Sequence, residues 1–334
     1  MSATPLSGVG LDALESLSPE EIQFLKVLPK TELHAHLNGC VPLKVLRELA
    51  EEAGVPLPVV HKPLTEVHEF FGLFPAIYAL TTTPNALRRM TRAVLEGFLD
   101  NLDDGGCAYL ELRSTPKQTS EMTRKEYMCA VLDEVERYPK DRVAFIASID
   151  RRMDEETATE IVEAAIQLKR EGRRIVALDL CGDILAGDVD MFVRVLRKGK
   201  EAGLEVTVHI AESAQNTPEE TLKLLSIPPG RLGHATFLNE EAIAIVMREK
   251  IPVEICLSSN LVCNTVKSLE AHHIRQYLQA GHPIAICTDD TLPFRNSIMT
   301  EYALLLAKQP LGLELSQSEV EAVAKLANEA RFPS

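Results

Sequence analysis

His34 and His36 stand two residues apart at the close of an apolar run, and the period of two in an extended chain points both imidazoles to one side. That makes a two-nitrogen chelate, although a buried pair of hydrogen-bonded histidines gives the same pattern. Three more apolar runs carry residues of this kind at or near their ends: His209, His234 and the pair Asp289-Asp290. A catalytic metal needs protein ligands that leave a position open for water, and His34, His36, His209 and Asp289 can supply three nitrogens and an oxygen. Zinc at such a site would bring the pKa of its water from about 15.7 towards about 7. Glu212 can then give a proton to a ring nitrogen of the substrate, His234 can take the proton from the water, and Asp290 can accept a hydrogen bond from a substrate edge. For either carboxylate the alternative is a solvated charge at a strand end. Parity sets a condition on both. Glu212 is out of step with His209, and Asp290 with Asp289, so each strand must end or bulge there. His61, His68, His272, His273 and His282 fall in helical or loop stretches and read as surface or packing residues.

The elements that must position these groups are eight β-rich runs, at 31–37, 107–115, 143–150, 175–182, 205–212, 231–237, 252–259 and 283–290, separated by stretches of helical periodicity. Their interiors are nearly continuous in Val, Ile, Leu, Ala and Cys, as expected of parallel strands buried on both faces. Alternation of strand and helix implies a parallel α/β sheet, and eight repeats imply a closed (β/α)8 TIM barrel, here one domain over 1–334. Active sites of that architecture lie at the C-terminal ends of the strands, where this chain places its histidines and acids. About 70 residues separate the first two strands, more than one crossover helix requires. The region 40–105 is therefore expected to be a helical insertion acting as a lid, with the apolar cluster Phe70, Phe71, Leu73, Phe74, Ile77 and Tyr78 packing inside it or over the site. Residues 1–28 read as an N-terminal helical extension, in which Ser18-Pro19-Glu20-Glu21 has the form of a helix start.

Composition excludes several classes of function. No apolar stretch approaches the roughly 18 to 20 residues of a membrane span. A formal net charge of −14 opposes nonspecific contact with nucleic acid, which depends on Lys and Arg displacing counterions from phosphates. The first 28 residues carry Glu15, Glu20 and Glu21 and lack the basic start and apolar centre of a secretory signal, so the expected address is the cytosol. Seven cysteines without a CxxC pair argue against a disulfide framework or thiolate zinc site and read as buried, reduced thiols. A monomer is expected.

The segments Thr31-Glu32-Leu33-His34-Ala35-His36-Leu37-Asn38-Gly39, His209-Ile210-Ala211-Glu212, Gly233-His234 and Cys287-Thr288-Asp289-Asp290 resemble, in this order, the motifs of the adenosine and AMP deaminase superfamily. Within it the chain is most similar to the adenosine deaminase-like branch, the N6-methyl-AMP deaminases, from about residue 28 to about 306. The resemblance implies one Zn2+ per chain at His34, His36, His209 and Asp289, with Glu212 as proton donor and His234 beside the attacking water. It implies that Gly182 meets the purine through its backbone, that Asp290 holds the base, and that Asp150 accepts from a ribose hydroxyl. His36, Tyr78 and Thr81 are further substrate contacts by the same analogy, and Arg113-Ser114-Thr115-Pro116-Lys117 resembles the segment by which the branch contacts its nucleotide.

The implied reaction is hydrolysis of N6-methyl-AMP, a small-molecule purine nucleotide, to IMP and methylamine. Asn38 supports the phosphate, because adenosine deaminases typically have an aspartate there. A carboxylate about 4 Å from a phosphate charge would cost roughly 4 kcal/mol at an effective dielectric of 20, and the amide removes that barrier while adding a donor. Asn38-Gly39 as a simple turn pair is the alternative. Arg113, with Lys117 beyond it, could cradle the phosphate or could pair with Glu111 or Asp150 instead. The chain departs from the branch at Leu261-Val262-Cys263 and at Thr291-Leu292-Pro293-Phe294, changes expected to reshape the pocket rim. Adenosine or adenine deamination is the nearest competing activity. Two-metal hydrolysis of cyclic amides is disfavoured because the fourth run ends Leu180-Cys181-Gly182 without a lysine, and a nucleotide-binding barrel without activity is disfavoured because no ligand or acid is missing.

Overall fold

The eight strands follow the sequence in space: β1 (Lys30–His36), β2 (Cys107–Ser114), β3 (Val143–Asp150), β4 (Ile175–Cys181), β5 (Glu205–Ile210), β6 (Arg231–His234), β7 (Val253–Ile255) and β8 (Ile284–Ile286) form one parallel sheet in the order β1 to β8. The computed structural model describes residues 5–57, 67–101 and 105–333, with 67–73 described by their backbone alone. The sheet closes through an isolated parallel bridge between Ala35 and Asp289. The His36 amide donates to the Asp289 carbonyl at 3.0 Å, and the Asp289 amide to the His34 carbonyl at 2.8 Å. The barrel is thus sealed at the residues singled out for metal binding.

Burial on both faces explains the apolar runs: every residue of β3 is buried. The last four strands are shorter than their sequence patterns suggest, for a conformational reason. Ala211, His234, Ala235 and Asp289 have φ of 48°, 59°, 49° and 64°, left-handed values that take the chain out of the sheet. After β7 the helix Leu257–Val262 begins at once. These turns also meet the parity condition, because β5 ends at Ile210 and the left-handed Ala211 re-aims Glu212, while Asp289 does the same for Asp290.

Two helices precede the barrel, α1 (Val9–Glu15) and α2 (Pro19–Val27). The second opens with a reciprocal capping box between Ser18 and Glu21, as the Ser-Pro-Glu-Glu signal suggests. Between β1 and β2 stand α3 (Leu43–Ala53), α4 (Val67–Leu80) and α5 (Pro84–Leu99). The apolar cluster of this insertion divides: Phe74 and Tyr78 line the central cavity, whereas Ile77 is buried in the core. The side chains of Phe70, Phe71, Leu73 and His68, and all of His61, lie outside the described residues. Later crossover helices are capped in the expected way, as by Thr123 before Arg124–Val135 and Asp154 before Glu155–Arg170.

At the opposite end of the barrel the Arg231 guanidinium lies 3.6 Å from the ring centre of Phe332, and the Phe332 amide donates to Glu111 Oε1 at 2.8 Å. Among the described residues no helix is long and apolar enough to cross a membrane. All seven cysteines are unpaired, but only five are buried, Cys129 and Cys263 being partly exposed.

Candidate active site

At the C-terminal rim of the barrel three imidazole nitrogens converge. His36 Nε2 lies 3.2 Å from both His34 Nε2 and His209 Nε2. Asp289 Oδ1 lies 3.5 Å from His34 Nε2 and 3.4 Å from His36 Nε2. The opposite ring nitrogens are already committed, His34 Nδ1 to Glu254 Oε2 at 2.7 Å and His209 Nδ1 to Asp179 Oδ1 at 3.0 Å and to the Leu180 carbonyl at 2.9 Å. Since those partners only accept, Nδ1 carries the proton in both rings and the Nε2 lone pairs face one another. Three lone pairs and a carboxylate at such spacing fit the edges of a tetrahedron around an ion with bonds of about 2.0 Å. Burial and Arg113 lower the His34 pKa, and hydrogen bonds to Asp289 and Glu254 outweigh them and raise it, whereas burial and His34 push that of His36 well below the ordinary range.

Beneath the histidines lies a layer of buried charge. Arg113 is fully enclosed. It donates through Nη1 to Asp179 Oδ1 at 3.2 Å, and through Nη2 to Glu254 Oε2 at 2.8 Å and to the Leu33 carbonyl. The guanidinium is therefore committed to Asp179, Glu254 and the Leu33 carbonyl and pairs with neither Glu111 nor Asp150, although Arg113 still borders the cavity above. Inward strand parity carries it under the histidine cluster, towards carboxylates of β4 and β7. Glu254 Oε1 receives Arg231 Nε at 2.7 Å and Thr207 Oγ1 at 3.0 Å, and Arg231 also grips Glu111. Burial alone would raise the Glu254 carboxyl, but Arg113 and Arg231 hold it well below the usual range. Asp179 is likewise held low against its burial by His209 and Arg113.

Above the histidines opens a cavity of about 610 Å³, a size suited to a small organic ligand. His234 Nε2 and Glu212 Oε1 face each other at 3.6 Å, and His234 Nε2 is 4.0 Å from Asp289 Oδ2. Burial lowers the His234 pKa despite Glu212 and Asp289, which leaves the ring neutral and able to take a proton. Asp290 Oδ1 is buried without a hydrogen-bond partner, and burial together with Asp289 pushes its carboxyl well above the usual range. Gly39 makes room for it, since a Cβ there would sit 1.5 Å from Asp290 Oδ1. Gly182 has φ +95°, and a Cβ would meet Asp150 Oδ1 at 2.6 Å.

The side of the cavity away from β5 is polar. Asn38 Oδ1 accepts from Ser114 Oγ at 3.2 Å and Tyr127 Oη at 3.4 Å, which leaves Nδ2 as a buried donor with no partner. Ser114, Thr115, Lys117, Asp150, Arg152 and Tyr78 share the wall. Asp150 is clamped by Arg152, at 2.9 Å from Nε and 2.5 Å from Nη2. Lys117 Nζ lies 4.5 Å from the centre of the Tyr78 ring and, among the described residues, makes no salt bridge. Thr81 and Pro116 do not line the cavity; Thr81 Oγ1 donates to the Ile77 carbonyl at 3.1 Å. Cys263 and Phe294, from the two divergent segments, do line it.

Sequence reasoning missed Asp179, Glu254 and Tyr127 as neighbours of the site, and His273, whose Nε2 meets the His234 carbonyl at 2.8 Å. The first two carried a usable signal, because an acid inside a doubly buried strand requires a partner.

The adenosine deaminase family model matches residues 29–332. The N6-mAMP deaminase of Arabidopsis thaliana is 35% identical, the match spanning 93% of this chain and 94% of the relative. The human N6-methyl-AMP deaminase is 34% identical over 91% of this chain and 89% of its own. A crystal structure of Arabidopsis ADAL complexed with IMP superimposes with a TM-score of 0.83 at 34% identity, covering 93% of this chain and 94% of that one.

Proposed function

The chain belongs to the adenosine deaminase family of hydrolytic deaminases, and from that premise we propose that it converts N6-methyl-AMP and water to IMP and methylamine. One observation carries the reading: three Nε2 atoms and Asp289 converge on the floor of a nucleotide-sized cavity, beside the facing pair Glu212 and His234. In this reading His34, His36, His209 and Asp289 hold zinc, whose nitrogen-rich tetrahedral preference the donors suit. When bound, zinc acidifies a water and leaves it an open position next to the substrate.

The chain's own groups do the rest. Neutral, enclosed His234 takes the proton that the water releases as its oxygen joins C6 of the purine. Glu212, partly exposed in the cavity and within reach of the ring, gives a proton to the adjacent ring nitrogen, so that electrons pushed out of C6 have a place to go. The C6–N6 bond then breaks as the proton held by His234 passes to the departing methylamine, and the C6 hydroxyl becomes the carbonyl of IMP as its proton returns to Glu212. Asp290 and the Gly182 backbone meet the edges of the base, and Asp150, oriented by Arg152, faces the ribose. The unpartnered Asn38 Nδ2 and the Lys117 ammonium take the 5′-phosphate in place of Arg113. Helices α3 to α5, which bring Phe74 and Tyr78 to the wall, act as the lid.

Offering N6-methyl-AMP, N6-methyladenosine, AMP and adenosine side by side tests the proposal. Highest kcat/KM is expected for N6-methyl-AMP. Preference for either nucleoside would overturn the phosphate assignment, and faster turnover of unsubstituted AMP or adenosine would overturn the N6-methyl assignment.

A further inference from the structure

Arg113 is a buried cation that the reaction does not use directly, yet its two terminal nitrogens divide between two carboxylates with different tasks. Nη1 donates to Asp179 Oδ1, the oxygen that receives His209 Nδ1. Nη2 donates to Glu254 Oε2, the oxygen that receives His34 Nδ1. Each of these oxygens is thus shared by the guanidinium and one imidazole. The planar fork fixes the distance between the two carboxylates, and the carboxylates fix the orientation and tautomer of the two rings. Asp179, Glu254 and Arg113 are fully buried, so water cannot replace the fork if it is lost. The Leu33 carbonyl, one residue before His34, is a third acceptor of the same guanidinium and ties it to the backbone that carries the ligand.

We propose that Arg113 is a positioning residue that sets the chain's affinity for its metal, by clamping the two carboxylates that orient His34 and His209. The inference rests on the reading of His34, His36, His209 and Asp289 as a metal site, and it goes further by giving a nucleotide-segment arginine a role in holding the ion. It needs no contact between Arg113 and the substrate.

The test measures zinc affinity of the full-length protein by competition with a chromophoric chelator, for wild type, Arg113→Lys, Arg113→Met and, as a control, Arg174→Met. Arg174 donates to the Tyr138 and Pro139 carbonyls, away from the site, and its loss lowers stability without touching the histidines. Affinity is expected to fall about 10-fold in Arg113→Lys, which keeps the charge but reaches one carboxylate, and about 100-fold in Arg113→Met, as for other outer partners of metal ligands. Arg174→Met is expected to bind zinc as wild type does. With zinc saturating, the KM of Arg113→Lys for N6-methyl-AMP stays within twofold of wild type, as a residue that touches no phosphate requires. If Arg113→Met does not fold, Arg113→Lys carries the test.

Unchanged zinc affinity in Arg113→Lys overturns the inference, as does an equal loss in Arg174→Met. An unchanged affinity with a KM raised about tenfold would return Arg113 to the phosphate. Wild-type protein that binds no zinc would instead overturn the underlying metal reading, so the two failures are distinct.

Discussion

The floor and the mouth of the cavity solve opposite problems. On the floor three buried carboxylates face cations: Asp179 meets Arg113, Glu111 meets Arg231, and Glu254 meets both. At the mouth, polar groups are left over: Asn38 Nδ2 and Asp290 Oδ1 are buried without partners, and Lys117 has only an aromatic ring. A buried polar group without a partner is costly; on the floor Asp179 Oδ2 and Arg113 Nε are also unpartnered, but their side chains are anchored by ion pairs, whereas the mouth groups lack such anchors. Under the proposed function the difference separates two roles, the floor holding an ion and the mouth selecting a molecule.

The largest effects should come where the two regions meet. Removing metal with a chelator is expected to reduce turnover to background, with recovery on adding zinc, measured as amine release. Persistent turnover in metal-free protein would break the division at its base. Glu212→Gln keeps the shape but cannot deliver the proton, and kcat should fall by about 10² to 10⁴ with little change in zinc affinity. A parallel loss of zinc would instead make Glu212 part of the floor.

Changes confined to the mouth should alter choice of substrate more than chemistry. Asn38→Asp puts a carboxylate where the phosphate is expected, and at about 4 Å and an effective dielectric of 20 this costs up to roughly 4 kcal/mol. N6-methyl-AMP should lose up to about 10³ in kcat/KM while N6-methyladenosine changes little, and an equal loss for both would mean that Asn38 does not face the phosphate. Lys117→Met should raise the KM for the nucleotide about tenfold, the order of one charge-assisted hydrogen bond, and weaken its salt dependence. Insensitivity of KM to both substitutions would leave the mouth without its proposed role.

The contrast also explains which parts of the molecule could be read in the sequence. The barrel was legible because strands buried on both faces are continuous apolar runs, and His34, His36, His209 and Asp289 because they close those runs. The exact ends of β5 and β6 were not, since the left-handed Ala211 and Ala235 that take the chain out of the sheet are of a type that usually avoids that conformation. For Arg113 the limit is different: with Ser114, Thr115 and Lys117 it borders the cavity, but its carboxylate partners Asp179 and Glu254 lie 66 and 141 residues away and are brought to it by barrel closure. Thr81 stands outside the cavity wall, its hydroxyl donating to the Ile77 carbonyl in the last turn of α4.

The smallest effect concerns a buried acid that the floor's rule leaves out. Glu301 is fully buried, with Oε2 receiving the Ser258 amide at 3.2 Å and Oε1 receiving Asn296 Nδ2 at 2.8 Å, both neutral donors, and Glu32 adds a like charge. Burial dominates and raises its pKa to about 7, whereas Glu254, equally buried but held by two guanidiniums, stays ionised. The sign follows from proton counting. Between the unfolded value, about 4.5, and about 7 the folded state keeps a proton that the unfolded state has released, so stability is greatest below this window and declines as pH rises through it. Glu301→Gln cannot ionise and should escape the decline, gaining on the order of 1 kcal/mol relative to wild type between pH 5 and pH 8 in denaturant melts. A difference between the two proteins that does not change with pH would show that Glu301 is ionised throughout. In that case neutral donors alone would suffice to hold a carboxylate in this interior, and the cations of the floor would owe their presence to the metal site and not to burial.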